Sequence, residues 1–239
     1  MGTVFSLDLR LDDDATAAVA DVVALLHRID RVFSTYRPDS DVSRLMRGEL
    51  RLPDADPSVA EVFDLCATAR RESDGWFSPL VGGRIDPTGL VKGWAVERAA
   101  ALLLARGISR FCLNGGGDVR VAAGPDGRAP WQVGIADPRN PAGTAAVVEL
   151  VDGAVATSGT AERGRHIIDP HTGRPTHSEL LSATVIGPST TYADAYATAC
   201  FAMGADAAFT WAARTDGYSL VVVHGDGHVT ASPDAPVRL

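Results

Sequence analysis

The chain predicts a mixed α+β fold, and three observations carry that expectation. Strand-like and helix-like segments are interspersed without a regular β-α-β rhythm, and the second half is mostly strands. At 239 residues, 46% hydrophobic and 22% charged, the chain is long enough to bury a substantial core and has an ordinary globular composition. There is no internal repeat, low-complexity segment or linker to divide it, so one domain spanning residues 1–239 is expected, with antiparallel-rich sheets packed against helices.

In order, Thr3 to Leu11 alternates as a half-buried strand, and the acidic turn Asp12 to Asp14 supplies a helix cap. Ala18, Val19, Val22, Val23, Leu26, Ile29, Val32 and Phe33 then recur at helical spacing, giving an amphipathic helix that ends near Tyr36. Arg37-Pro38-Asp39-Ser40 is a turn, and Ser43 to Met46 a short helix. A second amphipathic helix carries Val59, Val62, Phe63, Cys66 and Ala69, and Trp76 to Arg84 reads as irregular. From Val91 the helix formers Ala, Leu, Glu and Arg dominate up to Gly107, so a long helix follows the turn Asp86-Pro87-Thr88-Gly89. Beyond it, Phe111 to Leu113, Val119 to Val121, Trp131 to Ile135, Ala145 to Leu150, Ala154 to Thr157 and Ser182 to Gly187 are strand-like. Thr191 to Met203 and Ala205 to Thr215 are helices, and Tyr218 to His224 with His228 to Ala231 form a hairpin.

Charge and cysteine usage exclude several classes. A net charge of −8 and the lack of a basic cluster with interleaved aromatics argue against a nucleic-acid binder. Cys66, Cys112 and Cys200 are odd in number and far apart, which suits reduced thiols better than disulfides or a zinc site. No apolar run approaches the ~20 residues needed to span a bilayer. The first residues read as a strand and lack the features of a signal peptide, so a cytoplasmic location is expected.

Four stretches have chemistry to offer. A helix that begins behind the Gly89 turn points free N–H groups and a positive dipole end forward; with Lys92 in its first turn it can seat an anion such as a phosphate, or be an ordinary junction with Lys92 in solvent. Asp194 and Thr198 lie four apart on one helix face and form an oxygen-only set suited to Mg2+. Alternatively, Asp194 caps the helix and Thr198 bonds back to its carbonyl. Asn114, Gly115 and Gly116, in NGGGD, can approach a ligand closely or form a tight turn; the GxGxxG fingerprint is absent. His166 is a general base or a hydrogen-bonded strand residue, and Ser158 lacks the GxSxG frame of a nucleophile elbow.

Seven runs carry a resemblance to a known family. They are MGT (Met1–Thr3), STYRPDSDVSRL (Ser34–Leu45), SDGWF (Ser73–Phe77), DPTGLVKGWAVERAA (Asp86–Ala100), LNGGGDVRV (Leu113–Val121), VATSGTAERGRHIIDPHTGRP (Val155–Pro175) and SATVIGPSTTYADAYATACFAMG (Ser182–Gly204). In order and spacing they are similar to the ApbE-type flavin transferases (FAD:protein FMN transferase), and the resemblance spans nearly the whole chain.

That resemblance implies cleavage of FAD at its pyrophosphate with Mg2+, passage of FMN to a Thr or Ser hydroxyl of a target protein, and release of AMP. By motif, Met1, Tyr36, Asp86, Lys92 and Ile168 match positions that hold FAD. Asp194 and Thr198 match metal ligands, Gly89 contributes its backbone carbonyl, and His166 resembles the base for the incoming hydroxyl. Two features depart from the pattern: many relatives carry DLGG or similar where this chain has Asp86-Pro87-Thr88-Gly89, and the segment Trp76 to Arg84 is short. The same residues would also serve an FAD pyrophosphatase that uses water as acceptor, and a protein that only binds FAD is the non-enzymatic alternative.

Overall fold

A computed structural model describes residues 2–10, 14–81, 84–124, 129–160, 167–176 and 178–239. Its main sheet has seven strands, all paired antiparallel: β1 (Phe5–Leu9), β4 (Arg110–Gly115), β5 (Asp118–Ala123), β8 (Asp152–Gly159), β11 (Leu180–Gly187), β12 (Ser219–His224) and β13 (Val229–Ala231), in that spatial order. A second sheet orders β14 (Val237–Arg238), β7 (Asn140–Leu150) and β6 (Trp131–Asp137). Among the described residues two small hairpins supply the remaining strands: β2 (Leu80–Val81) with β3 (Arg84–Ile85), and β9 (Ile168–Asp169) with β10 (Arg174–Pro175). The mixed α+β expectation holds.

The main sheet is buried on both faces, which the residue alternation explains. Ala154, Ala156, Ala183, Val185, Leu220 and Val222 point into a core shared with the helices α1 (Thr16–Phe33), α3 (Pro57–Glu72), α4 (Thr88–Ala105), α5 (Thr190–Met203) and α6 (Ala205–Ala212). Their neighbours Val155, Ile186 and Val221, with Val119 and Val121, point the other way and pack on Val133, Ile135, Ala146 and Val148 of the smaller sheet. A third cluster, including Val96, Leu103, Phe111 and Leu113, joins α1 and α4 to the β1 edge.

Several boundaries move from the sequence reading, each for a local reason. The first helix stops at Phe33, ahead of Tyr36, because Ser34 leaves the helix with extended backbone and its carbonyl accepts the Ser40 hydroxyl at 2.8 Å. Ser40 then caps the next helix, α2 (Asp41–Met46), by accepting the Ser43 N–H at 3.1 Å, so that helix begins two residues early. The cap position of the first helix is Ala15 and not an acid of the preceding turn, although Asp14, one residue earlier, accepts the Thr16 N–H at 2.9 Å. The stretch from Trp76, expected to be irregular, contains the β2–β3 hairpin. Strands β6 and β7 run past the expected limits at Ile135 and Ala145 to a tight turn, because Asp137 accepts the Arg139 N–H at 2.9 Å and closes it. The pairing of β14 with Val147 and Val148 was not foreseen.

The crossing of α4 and α5 as a candidate active site

The entrance to α4 comes straight off the β2–β3 hairpin. Asp86 follows β3, its N–H donating to the Pro79 carbonyl at 2.6 Å, and its Oδ1 accepts the Thr88 N–H at 3.0 Å. The helix therefore begins at Thr88, three residues before Val91, with one Asp86 oxygen satisfying a first-turn donor. Lys92 consequently sits in the second turn and not the first. Gly89 is the second helical residue; a Cβ there would lie 3.4 Å from the Phe77 ring and 3.9 Å from Thr198 Oγ1. That proximity brings the turn of Gly89 to the helix of Thr198.

The sequence reading passed over Gly93, and this residue makes the site. A Cβ at Gly93 would lie 2.3 Å from the Thr190 carbonyl oxygen and 2.7 Å from Asp194 Cβ, so α4 and α5 touch backbone to backbone there. The Gly93 N–H donates to Asp194 Oδ2 at 2.9 Å in a buried position. In a regular helix that N–H would serve the Gly89 carbonyl four residues back. Asp194 thus does not cap α5; it lies inside the helix and is oriented from the neighbouring one.

Lys92 lies between two carboxylates. Its Nζ is ion-paired with Asp118, stands 3.8 Å from Asp194 Oδ1, and approaches the Gly116 carbonyl at 3.5 Å. Asp118 is wholly buried at the start of β5. Burial pushes its carboxyl well above the usual range and the Asp194 charge adds to that, against the opposing pull of the Lys92 ammonium. Nothing in the sequence gave Asp118 a role. The signal available was an acid leaving a glycine turn into a strand whose other residues, Arg120 apart, are small and apolar.

The other expected residues fall in distinct places. Thr198 Oγ1 is 3.1 Å from Ser158 Oγ on β8, so the hydroxyl faces the sheet as well as Gly89. Asn114 Oδ1 accepts the Gly117 N–H at 2.9 Å across the β4–β5 turn, where Gly116 and Gly117 adopt φ of 59° and 93°. Close packing and left-handed backbone both call for glycine here: a Cβ on Gly115 would lie 2.6 Å from the Phe5 ring and one on Gly116 2.1 Å from Thr3 Oγ1, while Gly117 has open space and only its positive φ. Tyr36 is 78% exposed, with Gly2 beside its ring. Gly2 and Thr3 therefore link Tyr36 to the turn whose carbonyl faces Lys92. Ile168 lies on β9 opposite Pro175. Met1 and His166 lie outside the described residues.

Among the described residues no three His, Cys, Asp or Glu side chains group as a metal site. Near the crossing stand the two oxygen-bearing side chains expected to bind a metal, the Asp194 carboxylate and, four residues along α5, the Thr198 hydroxyl, which lies close to Gly89 at the start of α4. Such a set fits a hard dication whose remaining positions are filled by water and phosphate.

Comparison with known proteins decides the family. A profile of the ApbE family matches residues 1–85 and 82–222. The chain belongs to the ApbE family. Among curated ApbE-type relatives, the FAD:protein FMN transferase of Vibrio cholerae is 26% identical over 266 residues, covering 85% of this chain and 79% of that protein. The FAD:protein FMN transferase of Treponema pallidum is 34% identical over 170 residues, 63% of this chain and 46% of that protein. The chain thus spans about half the length of several curated relatives it matches. Two solved structures share the ApbE fold: the flavin transferase ApbE from Vibrio cholerae (TM-score 0.80, 24% identity, 98% of this chain and 94% of that one) and the ApbE protein from Thermotoga maritima (TM-score 0.83, 22% identity, 97% of each).

Proposed function

We propose that this chain is an FAD:protein FMN transferase that passes the FMN phosphoryl group of FAD to a Thr or Ser hydroxyl of a target protein, with AMP as leaving group. The observation that supports the reading is the α4–α5 crossing, where the Gly93 N–H holds Asp194 Oδ2, Lys92 stands 3.8 Å from Asp194 Oδ1, and Gly89 lies against Thr198. Family membership and the names of the relatives supply the reaction class.

In this reading Asp194, Thr198 and the Gly89 carbonyl hold Mg2+, and Lys92 with the α4 N-terminus faces the diphosphate. When bound, the metal supplies charge neutralisation on the phosphoryl oxygens. Lys92 and Asp86 position the pyrophosphate and its flanking groups, with Met1, Tyr36, Ile168 and the Asn114–Gly116 turn contacting FAD. His166 accepts the proton of the incoming hydroxyl; that oxygen forms a phosphoester bond to the FMN phosphorus as the bond to the AMP phosphate breaks. The three cysteines are free, which supports a reducing, cytoplasmic setting. No helix among the described residues is long and apolar enough to cross a membrane.

Incubation with FAD, Mg2+ and a threonine-bearing target, followed by intact-mass analysis, tests the proposal. The target gains the mass of FMN while AMP accumulates. Free FMN and AMP with an unmodified target would make the chain an FAD pyrophosphatase, and intact FAD throughout would leave only a binding protein.

A further inference from the structure

Helix α5 takes its cap from a neighbouring helix. Among the described residues its own cap position, Ser189, makes no side-chain hydrogen bond to the first turn. The Thr190 N–H, one of the donors that a helix start leaves over, is accepted instead by Glu97 Oε2 of α4 at 2.6 Å. A carboxylate there also suits the positive end of the α5 dipole. Glu97 Oε1 stands 3.8 Å from Arg120 Nε, and the Arg120 guanidinium donates to the Gly153 carbonyl at 3.0 Å and to Asp152 at 2.8 Å. Glu97 is thus braced against β5 and the start of β8.

Gly93 and Glu97 lie four apart on one face of α4, and Thr190 and Asp194 lie four apart on one face of α5. The Gly93 N–H holds Asp194 Oδ2 at 2.9 Å, and Glu97 holds the Thr190 N–H one turn away. Bonds at two successive turns fix both how far α5 slides along α4 and how far it rotates, whereas one bond would act as a pivot. We propose that Glu97 is a positioning residue: by holding the first turn of α5 it sets where the Asp194 carboxylate and the Thr198 hydroxyl stand relative to Gly89. This rests on the reading of Asp194 and Thr198 as metal ligands and adds to it a residue from the facing helix that acts through the Thr190 backbone.

Mn2+ is titrated into the FAD-free protein well below its melting temperature, and free Mn2+ is followed by electron paramagnetic resonance. Glu97→Ala binds Mn2+ about tenfold more weakly than wild type, the scale on which residues behind metal ligands act. Glu97→Gln recovers most of that loss, because its amide oxygen still accepts the Thr190 N–H. Thr190→Pro removes the donor instead, at the first helical position, where proline is tolerated, and behind a Ser189 backbone that is already extended. It reproduces the Glu97→Ala loss, and the double variant loses no more than either single. A glutamate that only stabilised the fold would lower the melting temperature and leave Mn2+ affinity unchanged. Glu97→Ala binding like wild type, or Glu97→Gln binding as weakly as Glu97→Ala, therefore overturns the proposal. Should Glu97→Ala fail to fold, Thr190→Pro decides alone, and wild-type affinity in it overturns the proposal. Asp194→Asn separates the two levels. If it binds Mn2+ as wild type does, the metal reading falls and the role of Glu97 with it; if it binds weakly while Glu97→Ala binds normally, the role of Glu97 alone falls.

Discussion

Asp194 and Thr198 were legible as a pair, because residues four apart on a helix share a face whatever the fold. What the sequence could not show is that Gly93 would meet Asp194 across 101 positions and fix its carboxylate. A close approach is written in a residue that lacks atoms, and an isolated glycine in a helical run reads only as a weak helix former. Asp118 was hidden for a related reason, since only the folded register buries it. Three expectations belong here. Asp194→Asn nearly abolishes Mg2+-dependent FMN transfer with native-like melting, and Thr198→Val causes a smaller loss; undiminished turnover in the Asn variant removes Asp194 from the site. His166→Ala lowers the transfer rate by about 10²–10⁴-fold and leaves FAD affinity, read by flavin fluorescence, nearly intact. Parallel losses in affinity and rate would make His166 scaffold. Gly93→Ala drives a methyl group into the Thr190 carbonyl and destabilises the fold by roughly 1–3 kcal/mol in denaturant titration.

Elements were legible where composition and period agreed, as in α3, which runs from Pro57 with buried Val59, Val62, Cys66 and Ala69. Boundaries set by side-chain caps were less so, because Ser40 and Asp86 act through their hydrogen bonds and not through hydropathy. The cap of α3 is open to measurement. Burial alone would raise the Asp56 carboxyl, but the Ser58 hydroxyl at 2.7 Å, Arg28 at 2.9 Å and the Ser58 N–H at 3.0 Å outweigh it and lower the pKa to about 2. A carboxyl with a depressed folded pKa stabilises above its unfolded value, near ~3.9, and loses that contribution as pH falls through the folded one. Asp56→Ala should therefore melt lower than wild type at neutral pH by ~1 kcal/mol of stability. The gap should narrow as pH drops from about 4 towards 2; a gap independent of pH over that range would show that the carboxylate charge is not what stabilises the cap.

At the scale of the molecule, the α+β class and most strands followed from alternation, while the division into two stacked sheets did not. That division depends on which of two apolar faces each strand turns to the helices, and a strand such as β12, buried from Ser219 to Val223, shows no polar face to mark it. The same burial protects the thiols. Burial pushes the Cys66 thiol up to about 12, with the Asp86 charge adding to it, and drives Cys200 higher still. Under native conditions iodoacetamide should reach the half-exposed Cys112 first, and Cys66 and Cys200 should react only on unfolding; mass-resolved alkylation of Cys200 at the rate of Cys112 would contradict the packing. The contact between Gly93 and Asp194 also has a consequence in time. During synthesis Lys92 and Asp118 leave the ribosome well before Asp194, and at ~5–20 residues per second the wait lasts roughly several seconds. Asp194 is thus the last of the three charged groups to be made, and the α4–α5 crossing cannot close until it is.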